Sequence, residues 1–164
     1  MEPASQHTVV QWVIASLCLL GCAQGALSTP PAEQSWNDAQ IEWMGYEAGM
    51  ATIADTQRPG VLVFYTTWCP HCTTYSALFH DPAIVQLAES FVMIRVDRDQ
   101  EEELSSRFGR FGTYIPRTLF LRPDGQVNES LRGENAGYPH FLLTDRPTEL
   151  RALMERARRA AMSP

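Results

Sequence analysis

Two cysteines separated by two residues, Cys69 and Cys72 in the stretch TWCPHC, are the side chains of this sequence best suited to chemistry. A pair at this spacing can be a staple, part of a metal clip, or a redox centre. As a staple it would close a trivially small loop, whereas a cross-link stabilises mainly by restricting a long one. A structural metal needs about four ligands. Cys69 and Cys72 supply two, and His80 and His140 belong to no ligand-spaced group, so no metal site is expected. Thiol–disulfide exchange remains, and it asks only for two thiols that can reach each other.

Such a pair works only if the chain holds the sulfurs unequally. The run VLVFYTT before it is β-rich and unbroken, as in a central strand covered on both faces. A helix that opens at the cysteines and runs towards His80 puts Cys69 at its N-terminus. There unpaired N–H groups and the helix dipole favour an anion, which would be the Cys69 thiolate. Cys72 lies one turn on, on the same face and deeper, so Cys69 is expected to attack and Cys72 to resolve the mixed disulfide. Pro70 fixes φ in a first turn that has no use for its missing N–H. His71, once protonated, adds positive charge beside the thiolate, and a stabilised thiolate makes the disulfide a better oxidant.

The remaining pattern reads α-β-α-β-α-β-β-α. Ser35 is expected to cap a helix over WNDAQIEWMGYEAGMATIAD, with Asp38 completing a capping box and Trp36, Trp43 and Met50 forming one apolar stripe. Asp81-Pro82 starts a fresh helical piece that runs through Ser90. FVMIRVD (91–97) is a second buried strand, and QEEELSSRFG a helix stopped by Gly109. TLFLR, the turn PDG and QVNESL (126–131) read as a hairpin, and a last helix runs from Pro147. The order describes one α/β sandwich.

At 164 residues and 45% hydrophobic, the chain has room for one ordinary core. Its 13 basic and 19 acidic side chains give no electrostatic grip on nucleic acid. Residues 9–20, VVQWVIASLCLL, have the length of a signal-peptide core and are too short to span a bilayer. Residues 1–25 are therefore expected to be a signal peptide, or a lipoprotein signal in which Leu19-Leu20-Gly21-Cys22 makes Cys22 the lipidation candidate. Residues 26–35 would then be a tether and 36–162 the domain. The chain is expected to be exported to a bacterial envelope, with secretion or a reticulum lumen as alternatives.

Trp68-Cys69-Pro70-His71-Cys72 after a buried strand, with Tyr114-Ile115-Pro116 before the next one, resembles the thioredoxin superfamily. FVMIRVD and GTYIPRTLFLRPDGQV are similar to small single-domain thioredoxin-like proteins of the endoplasmic reticulum and their bacterial envelope relatives. The resemblance implies a three-layer α/β/α sandwich around a central mixed sheet. It also implies a cis Pro116 facing the cysteines, and a substrate site at Tyr114, Ile115 and Pro116 where the Ile115 backbone pairs with a substrate peptide. One departure stands out: Val63 occupies the position, six residues before Cys69, where such proteins usually bury a proton-relaying acid.

The expected function is thiol–disulfide exchange with exported proteins through mixed disulfides. The Cys69–Cys72 disulfide would be the only redox group, with no other cofactor. A separate redox partner would recharge the pair, Cys22 could tether the chain to a membrane, and a monomer is expected. The alternatives are a chaperone-like peptide-binding module and a copper or assembly module of the same fold.

Overall fold

The computed structural model describes residues 33–162. The expected signal, most of the tether, and Cys18 and Cys22 lie outside them. The described residues form four strands and five α-helices. They are β1 (Trp43–Met44), α1 (Tyr46–Thr56), β2 (Gly60–Tyr65), α2 (Pro70–Ser76), α3 (Pro82–Ala88), β3 (Val92–Asp97), α4 (Glu102–Arg107), β4 (Arg117–Leu121) and α5 (Pro147–Met162). Single 3₁₀ turns follow α2 at Ala77–His80 and α4 at Gly109–Phe111.

The apolar runs become the middle of the sheet. Strand order is β1-β3-β2-β4, with β1 and β2 parallel to β3 and β4 antiparallel to β2. Residues alternate between the faces. Val61, Val63, Met93 and Phe120 join one core cluster with Tyr75 of α2, Ile84 and Leu87 of α3, and Leu150 and Leu153 of α5. Leu62, Phe64, Ile94 and Leu119 join the other with Ile53 of α1 and Leu104 of α4. Helices on both faces of a mixed sheet make the expected α/β/α sandwich. Asp81 caps α3, its carboxylate accepting from Ala83 N–H at 2.9 Å and Ile84 N–H at 3.2 Å.

Two expected elements are replaced. No helix starts at Ser35. Asn37 takes φ 57°, and its buried amide donates to the Phe79 carbonyl at 2.9 Å, which turns the chain. Asp38 pairs with Arg95 at 2.9 Å instead of capping. Trp43 and Met44 then extend as the outer strand, and α1 begins only after the extended Gly45. The supposed single stripe divides between the faces, Trp36 and Trp43 on one and Met50 on the other. The hairpin is also shorter than expected. After the turn at Gly125 (φ 79°), pairing reduces to one bridge between Leu121 and Val127. Asn128 then bends the chain away by accepting from the Ser130 amide and hydroxyl.

Candidate functional site

β2 ends at Tyr65, and four residues later Cys69 is the N-cap of α2, with Pro70 in the first turn. The Cys69 sulfur accepts the Cys72 N–H at 3.3 Å, filling the place that a capping oxygen usually takes. Gln34 fixes the approach: its amide donates to the carbonyls of Thr66 at 2.6 Å and Thr67 at 3.0 Å. Ser35 is bonded in turn to Ser76 and His80. Gln34 and Ser35, expected in the tether, thus belong to the fold. A polar side chain bonding to backbone carbonyls leaves no periodic signal, so sequence reasoning missed Gln34. Ser35, expected to cap a helix, ties the segment to Ser76 and His80 instead.

The two sulfurs differ in surroundings. Cys69 retains 5% exposure and Cys72 none, and both are free thiols. Burial pushes the Cys72 thiol up to about 12. The hydrogen bond and charge of Cys69 push the same way, and the Thr66 backbone and Arg98 oppose them. Val63 lies across from Thr118 in the β2–β4 register. On that face the Tyr75 and Thr118 hydroxyls bond at 2.7 Å, and complete burial raises the Tyr75 phenol, keeping it protonated. Val63 and Thr118 bring no carboxylate to this pairing, and the charge of the buried Glu149 reaches Tyr75.

The other expected residues gather around Cys69. The Ile115–Pro116 peptide bond is cis, and the Cys69 thiol points at the Ile115 carbonyl 4.0 Å away. Tyr114 is held by its hydroxyl, which accepts the His140 N–H at 2.9 Å. Gly112 precedes it at φ 109°, where a β-carbon would also collide with the Tyr114 ring. Trp68 is 63% exposed. Its indole N–H donates to Asp99 at 2.6 Å, and the Arg98 guanidinium lies 5.8 Å from its ring centre. His71 is exposed and stands edge-on to Phe141 at 5.5 Å; no hydrogen bond joins it to Cys69.

Sequence reasoning missed a further contributor, the segment 133–143. The His140 carbonyl accepts the Thr118 N–H at 2.8 Å, so this loop runs along the free edge of β4 and delivers Tyr138 and Phe141 beside Tyr114. Among the described residues, no three His, Cys, Asp or Glu side chains group as a metal site would require.

A thiol pair at a helix N-terminus, facing an isoleucine–proline backbone across the end of a mixed sheet, agrees with what the comparisons find. The profile described as Thioredoxin-like matches residues 42–123, half of the chain. The chain belongs to the thioredoxin-like family. Anterior gradient protein 1 of Xenopus laevis is 25% identical to this thioredoxin-like chain over 129 residues, 77% of the chain and 68% of that protein. Among solved structures, a thioredoxin from Thermus thermophilus superposes with a TM-score of 0.56 at 23% identity, covering 75% of this chain and 88% of that one. A disulphide isomerase from Xylella fastidiosa gives 0.55 at 21% identity, covering 67% and 86%. These two likenesses establish the thioredoxin-like fold.

Proposed function

We propose that this chain is a protein thiol–disulfide oxidoreductase that exchanges the Cys69–Cys72 pair with exported polypeptides. The observation that carries the reading is the unequal pair: one sulfur at a helix N-terminus beside the Ile115 carbonyl, the other fully buried and within reach. In the reducing direction the Cys69 thiolate attacks a substrate disulfide, whose S–S bond breaks to release one substrate thiolate. Cys72 loses its proton and attacks Cys69, releasing the second thiolate and leaving the Cys69–Cys72 disulfide. Two electrons pass to the substrate. The oxidising direction reverses each step, and Cys72 then leaves as a thiolate that takes up a proton readily because of its raised pKa. A separate dithiol or disulfide protein returns the pair to its starting state. Ile115, with Tyr114 and Pro116, receives the substrate backbone.

The signal-like segment 9–20 supports export to a cell envelope, and Cys22 is the residue through which a lipid anchor would attach. The test is a trap. Cys72→Ala should strand mixed disulfides on Cys69 that dithiothreitol releases, and Cys69→Ser should strand none. An absence of adducts, together with a wild-type protein that neither reduces nor oxidises a two-cysteine peptide, would overturn the proposal. Equilibration against glutathione then gives the direction: about −120 mV marks an oxidant and about −270 mV a thioredoxin-like reductant.

A further inference from the structure

Among the described residues, the large apolar side chains left exposed are Trp68, Tyr138 and Met162. Two of these stand on the redox centre. Trp68 immediately precedes Cys69. Tyr138, 54% exposed, meets Tyr114 edge-on with ring centres 5.2 Å apart. Tyr114 in turn precedes Ile115, whose carbonyl lies 4.0 Å from the Cys69 sulfur. Phe141 closes the corner, 6.4 Å from Tyr114 and 5.5 Å from His71.

The loop that exposes Tyr138 is pinned at both ends. The buried Glu149 carboxylate accepts the N–H groups of Glu134 and Leu143 at 2.6 Å each. Within the loop Gly133 N–H donates to the Pro139 carbonyl at 2.8 Å, and His140 is bonded to Thr118 and Tyr114. An exposed aromatic on a loop fixed by charge-assisted bonds is ordered before any partner arrives, so binding does not have to order it. A solitary exposed tyrosine would need no explanation, but one set edge-on against the neighbour of the exchange site does.

We infer that Tyr138, Tyr114 and Phe141 form a specificity wall for the residue next to the reacting cysteine of a substrate polypeptide, and that the wall prefers an aromatic or large aliphatic side chain there. This rests on the exchange reading. The occupant follows from the chemistry: whatever bonds to Cys69 brings a sulfur carried on a chain, and the neighbours of that sulfur then pass over Ile115 onto the wall. The charged pair at this site, Arg98 with Asp99, is already engaged: the two bond each other at 3.3 Å, Asp99 accepts the Trp68 indole N–H, and Arg98 donates to the Thr113 carbonyl at 3.3 Å. The wall itself is uncharged.

The test compares two peptide disulfides that differ only in Phe or Gly beside the cysteine. Each reacts with the reduced wild-type protein in a single turnover, followed by release of peptide thiol. The Phe peptide should react about 2- to 10-fold faster, the range expected of one aromatic pair. Tyr138→Ala should bring the ratio towards one, and Tyr138→Phe should keep it. Equal wild-type rates, or a ratio that survives Tyr138→Ala, removes the wall and leaves exchange intact. If neither peptide reacts, the exchange reading fails and the wall with it.

Discussion

The Cys72 amide donates to the Cys69 sulfur across 3.3 Å, so the deeper partner supports the outer one before any disulfide forms. The relationship is one-sided. Cys69 keeps 5% exposure and faces the Ile115 carbonyl, whereas Cys72 is fully buried and its thiol pushed up to about 12. Iodoacetamide at neutral pH should therefore alkylate Cys69 alone in the reduced protein, as read by peptide mass mapping. Equal labelling of both thiols would contradict the asymmetry.

The same burial sets a pH dependence. A resolving thiol far below its pKa supplies thiolate in proportion to hydroxide, so release of a trapped substrate by Cys72 should accelerate about tenfold per pH unit between 7 and 9. Stability follows the opposite course. The folded pKa lies above the ordinary thiol value of 9.0, so the folded state holds its proton longer than the unfolded chain. That contribution is complete below pH 9 and lost as pH rises towards 12. Stopped-flow release and urea midpoints measure the two effects. A pH-independent release rate would rule out Cys72 deprotonation as its control.

How much of this was legible depended on whether a residue's role is local. The strands β2 and β3, the helix opening at Cys69 and the Asp81-Pro82 cap could be read because continuous apolar runs and capping chemistry act over a few residues. Trp36 and Trp43 misled because seven-residue spacing fits a helix, yet their rings meet edge-on at 5.6 Å across a turn made by Asn37. Tyr138 and Phe141 gave no signal, since a Gly- and Pro-bearing loop has no period. Their role exists only once the His140 carbonyl meets Thr118. Gln34 was invisible for the same reason.

Arg117, directly after Pro116, is the largest fully buried side chain among the described residues. Its guanidinium lies 4.3 Å from the Phe64 ring centre, and one nitrogen donates to Ser105, while Nε and Nη1 have no partner. Burial lowers its pKa to about 10, so the charge opposes folding at neutral pH. Replacing a buried ionic group by an apolar one of similar volume is often neutral or stabilising. Arg117→Met should raise stability by about 1–3 kcal/mol in urea unfolding, where a loss of that size would show the charge to be needed.

Glu149 tests the loop anchor. Both of its oxygens accept N–H groups, from Glu134 and Leu143. Glu149→Gln keeps the shape but turns an NH₂ towards one of these donors. It should cost about 1.5–3 kcal/mol, the range for hydrogen bonds to charged groups, with hydrogen exchange rising at residues 133–143. A variant as stable and protected as wild type would release the loop from this anchor.

His140 gives that loop an acid sensitivity. The ring is almost fully buried against Phe111, and its Nδ1 has no partner. Burial lowers the His140 pKa, and the charges of Arg132 and Arg117 lower it further, against the Thr118 backbone and Glu129. Below the ordinary value of 6.5 the unfolded chain takes up a proton that the folded ring refuses. Stability from this residue is therefore present above pH 6.5 and lost as pH falls through the folded pKa. Carboxylates impose an acid loss of their own, so the decisive quantity is a difference. Urea midpoints between pH 7.5 and 5 should fall more steeply in wild type than in His140→Phe, which keeps the contact with Phe111 and cannot bind a proton. Parallel slopes would mean that His140 is accommodated in both charge states and that the loop's acid response arises from other groups.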